Sequence, residues 1–201
     1  MKFKKIVIFL TGAPASGKDT QTGLLAKKLK GKKITISEVF DDFFKNSKRK
    51  YLKIKNKTID LRKEREKRLR GDLISFHFIS WLVIETLKKY LPLKKSLIIS
   101  GGPRSVIEAK AYLNFVKKEN LNYAFIFLNI SEEEIYKRTL KRKRPDDDLE
   151  TVKKRIENFK KYTLPAINFL KKRKEIIEIN GEGKIQAIHQ KIFKSLKEKI
   201  F

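Results

Sequence analysis

Apolar positions along the 201-residue chain fall into short runs separated by stretches with helical spacing. Five runs read as strands: Lys5–Leu10, Lys33–Ile36, Ser96–Ser100, Tyr123–Leu128 and Glu175–Ile179. Helical patterns lie between them and after the last. That alternation predicts an α/β fold, a five-stranded parallel sheet covered by helices on both faces. Gly31 stands where a glycine commonly closes a helix, here the first one. No internal repeat or low-complexity linker interrupts the pattern, so the chain reads as one domain spanning 1–201.

Two regions depart from the alternation. Ser37 to Arg70 is rich in charge and poor in apolar periodicity. It reads as a mobile helical lobe or a solvated insertion that buries little, set into a core of residues 1–36 and 71–201. From Gly71 the apolar pattern resumes through Trp81 and Leu87, which predicts a core helix. The second region is Lys137 to Asp148. Pro145 breaks a helical stretch there, and Asp146, Asp147 and Asp148 suit the first turn of the next helix.

Between the first strand and the first helix lies "TGAPASGKDT", residues 11–20. It contains Gly12-x-x-x-x-Gly17-Lys18, a pattern that cradles phosphates. Backbone N–H groups and a helix N-terminus supply the anion site, and glycines permit close approach. Lys18 is placed to reach the β- and γ-phosphates as a point charge. Ser or Thr usually follows that lysine and holds Mg²⁺. Here Asp19 follows, then Thr20, and both are oxygen donors suited to a hard cation.

Charge and composition narrow the picture. The chain carries 50 Lys and Arg against 23 Asp and Glu, a net +27, with the lysines spread along its length. That charge reads either as solvated helix faces or as attraction for RNA and other polyanions. There is no cysteine, so disulfides and thiolate metal sites are excluded. No segment approaches the roughly 20 apolar residues of a membrane span. A soluble, cytoplasmic, monomeric protein is expected.

The loop and three further segments resemble the adenylate kinase and nucleoside monophosphate kinase family. The family loop is Gly-x-Pro-Gly-x-Gly-Lys-Gly-Thr-Gln. Gly12, Pro14, Gly17, Lys18, Thr20 and Gln21 match it, while Ala15 and Asp19 replace glycines. "SGGPRSVIEA", residues 100–109, is similar to the family's Asp-Gly-Phe-Pro-Arg segment. Arg142, Arg144, Asp146, Asp147 and Arg155 fall at the family's lid spacings, and "IIEINGEGKIQAIHQKI" resembles its closing strand and helix.

The resemblance implies a three-layer P-loop fold with a small monophosphate-binding lobe over 37–70 and a short lid over 138–147. It implies phosphoryl transfer from ATP, with Mg²⁺, to a nucleoside monophosphate, AMP being the family default. The implied ATP site is Gly12, Ala13, Pro14, Ala15, Ser16, Gly17, Lys18, Asp19 and Thr20, with Arg138 on the adenine. The implied catalytic cations are Lys18, Arg104, Arg142, Arg144 and Arg155. On the acceptor side the resemblance points to Ile36, Gly101, Arg104 and Glu108.

Several positions depart from the family. Asp41 stands where an arginine of the family binds the acceptor phosphate, a charge reversal that repels a phosphate unless Lys45 or another lysine of this lobe substitutes. Ile36 and Ser37 replace a threonine and a glycine. Ser100 replaces an aspartate that orders Mg²⁺, and Gly102 replaces a phenylalanine. One carboxylate is thus lost at position 100 and one gained at Asp19, both beside the same phosphates. Glu108 replaces a glutamine that reads the acceptor base. It reads either as a solvated helix residue or as a carboxylate favouring the donor edges of guanine or cytosine. Asp41, Ser100 and the charge also fit a second reading, a catalytically weak or inactive ATP-binding relative that binds RNA or another polyanion.

Overall fold

The computed structural model describes residues 5–70, 72–142 and 148–200. At its centre five parallel strands stand in the order β2 (Lys32–Thr35), β5 (Leu97–Ser100), β1 (Val7–Gly12), β6 (Tyr123–Asn129), β7 (Ile176–Asn180). The α/β expectation therefore holds, and all five predicted strands are present with ends displaced by at most two residues. β1 runs on to Gly12, so the phosphate-loop glycine is its last residue. Register places Leu10 beside Ser100 and Gly12 beside Leu128, which aligns the carboxyl ends of the three central strands. Open α/β sheets bind ligands at that edge.

Alternation along β1 divides the core. Val7 and Phe9 face one layer, where Phe9 stacks between Tyr112 and Phe125 at 5.0 and 4.8 Å. That layer is covered by α4 (Phe76–Tyr90), α5 (Val106–Lys118) and α8 (Leu164–Lys172). Ile8 and Leu10 face the other layer, covered by α1 (Lys18–Lys28) and α9 (Ile185–Ile200). Strands buried on both faces need apolar side chains throughout, which is why β1, β5 and β6 read as continuous apolar runs. A third, smaller cluster of Ala13, Ile130, Ile135, Val152 and Ile156 seats α6 (Glu132–Arg142) and α7 (Leu149–Asn158) beside the loop.

Residues 37–70 are more ordered than their charge suggests. α2 (Ile36–Asn46) leads to a hairpin of β3 (Tyr51–Ile54) and β4 (Lys57–Asp60), then α3 (Leu61–Leu69). Ile36, Val39 and Phe40 of α2 are buried, as are Leu52, Ile59 and Leu61. The expectation of little burial is corrected. α2 has a continuous apolar face, and Phe40, Phe43 and Phe44 pack their rings on Phe78, with Phe43 also meeting Trp81. Thr35 and Glu38 form a reciprocal capping box at the start of α2. Buried Glu64 of α3 accepts from Ser75 N–H at 2.7 Å and from Lys67 Nζ at 2.7 Å, tying the lobe to the start of α4.

Two end signals are also corrected. Lys30 takes the left-handed position after α1, with φ 48°, and Gly31 N–H caps the Ala26 carbonyl at 2.8 Å. Gly31 is needed for space, because a Cβ there meets Ser96 O at 2.5 Å. Asp148 is the N-cap of α7, its carboxylate accepting from Thr151 N–H at 2.8 Å, and lies just before the first turn. Asp146, Asp147 and Pro145 lie outside the described residues.

Candidate functional site

A cavity of about 980 Å³ opens at the carboxyl edge of the sheet. The loop between β1 and α1 forms its floor. Gly12 cannot carry a side chain, since a Cβ would meet Leu128 O at 2.6 Å and Ser16 Oγ at 2.8 Å. Gly17 has φ 88° and is the N-cap of α1. Ala15, at a family glycine, also adopts a left-handed φ of 58°, a conformation that costs an L-residue about 1–2 kcal/mol. The loop backbone is thus wound to present N–H groups toward the helix end.

Lys18 folds back over this loop. Its Nζ donates to Gly12 O at 3.0 Å, Ala13 O at 2.7 Å and Ser16 Oγ at 3.3 Å. Its pKa is lowered to about 8, chiefly by burial and then by the Arg104 guanidinium, with Asp19 opposing and Arg142 adding a smaller lowering. Three cations from α1, the β5–α5 turn and α6 therefore converge on one point. A group carrying several negative charges would relieve their mutual repulsion.

Beside Lys18, Ser100 Oγ at the end of β5 donates to Asp19 Oδ1 at 2.5 Å. The two positions singled out in the sequence are thus in direct contact. Asp19, Thr20 and Ser100 all line the cavity. They present one carboxylate and two hydroxyls, a donor set that fits a hard divalent cation such as Mg²⁺.

The turn after β5 positions Arg104. Thr11 Oγ1 donates to Pro103 O at 2.9 Å, and Gly101 N–H donates to Leu10 O at 3.0 Å, locking the turn to β1. Arg104 Nε donates to Gly101 O at 2.7 Å, and its own carbonyl accepts from Thr163 Oγ1 at 3.3 Å. Thr163 ends a π-helical turn, Phe159–Thr163, joining α7 to α8. This turn brings Phe159 and Tyr162 to the cavity that Asn158 and Arg155 of α7 also line.

Glu108 lies at the other end. It is 1% exposed, which removes the solvated-helix reading. Its Oε2 accepts from Arg104 N–H at 3.0 Å and from Tyr112 Oη at 3.3 Å. Burial raises its pKa to about 7, with Arg104 and Tyr112 opposing. Ile36 and Gly101 line the cavity near it.

Arg138 and Arg142 of α6 line the cavity on the side of the turn before α9. Arg138 Nε donates to Glu134 Oε1 at 2.6 Å and Nη2 to Gly181 O at 2.9 Å, which fixes its guanidinium against the turn before α9. Gln21 Nε2 donates to Ile185 O, at the start of α9, at 3.0 Å. Of the expected residues, Gly12, Pro14, Ala15, Ser16 and Gly17 line the cavity through the loop. Lys18, Arg104, Arg138, Arg142 and Arg155 line it as cations. Ala13 is buried beneath the loop and contributes its carbonyl to Lys18. Arg144 lies outside the described residues. Sequence reading missed Arg68 and Asp72, which also line the cavity. Arg68 lies inside the charged stretch 37–70 and Asp72 just beyond it, and neither carried a signal of its own. Lys45 is exposed at the end of α2 and, among the described residues, does not line the cavity.

Comparison with known proteins agrees with this arrangement. The adenylate kinase family model matches residues 10–175. The chain is 30% identical to an adenylate kinase of Azobacteroides pseudotrichonymphae, covering 94% of this chain and 96% of that one. It is 31% identical to an adenylate kinase of Buchnera aphidicola, covering 92% and 94%. It is also 26% identical to UMP-CMP kinase 1 of Oryza sativa, covering 94% of this chain and 73% of that one.

Proposed function

The chain belongs to the adenylate kinase family, and we propose that it transfers a phosphoryl group from ATP to a nucleoside monophosphate, with residues 37–70 as the acceptor lobe. The observation that carries this reading is the meeting of Lys18, Arg104, Arg142 and Arg155 on one cavity with a phosphate-type loop at one end and buried Glu108 at the other.

The donor triphosphate lies along the loop, its oxygens bound by backbone N–H groups and Lys18. The transferring group passes between Arg104, Arg142 and Arg155, whose guanidinium forks match its equatorial oxygens. Little covalent chemistry is asked of the protein; it supplies alignment and positive charge. Arg138 holds the donor base end. Asp19 and Thr20, with Ser100 orienting the Asp19 carboxylate, would hold Mg²⁺ or its water shell. When bound, the ion would neutralise phosphate charge during transfer.

Glu108 reads the acceptor base. Its Oε2 is committed to Arg104 and Tyr112, which leaves Oε1 for the base. Ionised, Oε1 accepts from guanine N1–H or cytosine N4–H₂; protonated, it donates to a ring nitrogen such as adenine N1. AMP therefore suits the protonated form.

The test is purified protein with Mg·ATP and each of AMP, GMP, CMP, UMP and dTMP, read as diphosphate product. Product with at least one acceptor is expected. No product with any of them would overturn the enzyme reading in favour of an ATP-binding relative. RNA binding over a salt series then examines that rival.

A further inference from the structure

The acceptor half of the cavity needs a cation for the incoming phosphate besides Arg104, and position 41 supplies an anion. Asp41 and Arg68 resolve this together. Asp41 Oδ2 lies 3.8 Å from Arg68 Nη2, and the Arg68 guanidinium carbon sits 5.8 Å from the Phe40 ring centroid. Arg68 lines the cavity beside Phe40 and Ile36, whereas Asp41 is 66% exposed and, among the described residues, lies outside the lining. The carboxylate is thus turned away from the acceptor and toward an arginine that faces it.

An ion pair this exposed contributes little to stability. Its effect is on placement. The aromatic face of Phe40 and the carboxylate of Asp41 restrict a long, otherwise mobile side chain. A guanidinium has five N–H donors, so one loose contact to Asp41 leaves most of its fork available. Lys33 also lines this half, but as a β2 ammonium with no partner-defined geometry among the described contacts.

We propose that Arg68 binds the phosphate of the acceptor monophosphate and that Asp41 is its positioning residue. Arginine and position have exchanged places: the cation that a relative carries at position 41 comes here from α3. This rests on the acceptor reading of the cavity given above.

The experiment uses the full chain, Mg·ATP and whichever of AMP, GMP, CMP or UMP the wild type turns over best. Arg68→Ala raises KM for that monophosphate about tenfold or more, the size of one lost charge-assisted hydrogen bond, and changes KM for ATP less than twofold. Asp41→Asn raises the monophosphate KM by a smaller factor, with kcat nearly unchanged. The double variant Asp41→Arg/Arg68→Asp returns KM to within a few-fold of wild type, while Arg68→Asp alone does not. An unchanged monophosphate KM in Arg68→Ala, or equal losses for ATP and monophosphate, overturns the proposal. If the wild type transfers to no monophosphate, the activity reading falls separately. Calorimetric titration of AMP, GMP, CMP and UMP then decides this one: tighter binding to wild type than to Arg68→Ala upholds it, and equal or absent binding overturns it.

Discussion

Ser100 Oγ at the end of β5 donates to Asp19 Oδ1 in the first turn of α1 at 2.5 Å, bridging 81 residues of sequence. The family resemblance has an aspartate at position 100, and the proposed metal role passes here to the Asp19 carboxylate that Ser100 contacts. Asp19→Asn is expected to lower kcat 10- to 100-fold and to shift the Mg²⁺ dependence to higher concentration. Asp19→Gly/Ser100→Asp is expected to recover most of that loss. Full activity in Asp19→Asn with an unaltered Mg²⁺ titration would remove the metal role.

Lys18 is held near pKa 8 chiefly by burial and then by Arg104. A bound triphosphate favours its charged form and so takes up a proton when the pH is above 8. ATP affinity is expected to be flat from pH 6 to 7.5 and to fall by about tenfold per unit well above 8. Lys18→Ala should lose transfer and flatten that slope. Isothermal titration across pH reads both effects, and a pH-independent wild-type affinity contradicts the assignment.

Glu108 carries a second pH dependence, of opposite use. Its pKa is raised from 4.5 to about 7 in the folded protein. Between those values the folded state binds more protons than the unfolded one, so stability falls as pH rises through this window. The loss is about 3 kcal/mol when complete. Glu108→Gln should abolish it, seen as denaturant midpoints that no longer decline from pH 5 to 8. The same substitution should favour AMP at every pH. The wild type should lose preference for AMP over GMP or CMP as pH passes 7, measured as kcat/KM ratios.

Gly12 and Ala15 separate two reasons for glycine in the loop. Gly12→Ala drives a methyl into backbone at 2.6 Å. It is expected to cost about 1–3 kcal/mol of stability and to abolish nucleotide binding. Ala15→Gly relieves a left-handed alanine and should leave transfer unchanged within about twofold. Thermal unfolding and ATP titration of the two variants check the contrast.

The loop from Gly12 to Thr20 was legible in the sequence because its chemistry is local: an apolar run, small residues, a lysine, a helix. The sheet was legible because β1, β5 and β6 are buried on both faces and so carry uninterrupted apolar runs. Residues 37–70 were not, because the partners of Phe40 and Phe43 are Phe78 and Trp81, some forty residues on and in another helix. Charge on α3 hid the apolar face of α2. Glu108 could not be judged from α5 alone, since the β5–α5 turn folds over it and Arg104 N–H meets its carboxylate. Arg68 carried no signal, because only the folded lobe brings it to Asp41. Gly31 misled for a related reason: Ser96, on the strand approach opposite, decides what position 31 can hold.

The chain has a single tryptophan, Trp81. Its ring meets Phe43 of α2 edge-on at 5.9 Å and stacks on Phe78 at 6.4 Å. The indole therefore looks directly onto the joint between the 37–70 lobe and the core. Any shift of α2 on α4 alters the polarity and collisional quenching around that ring. The protein carries its own optical reporter of lobe movement, readable by emission without a label.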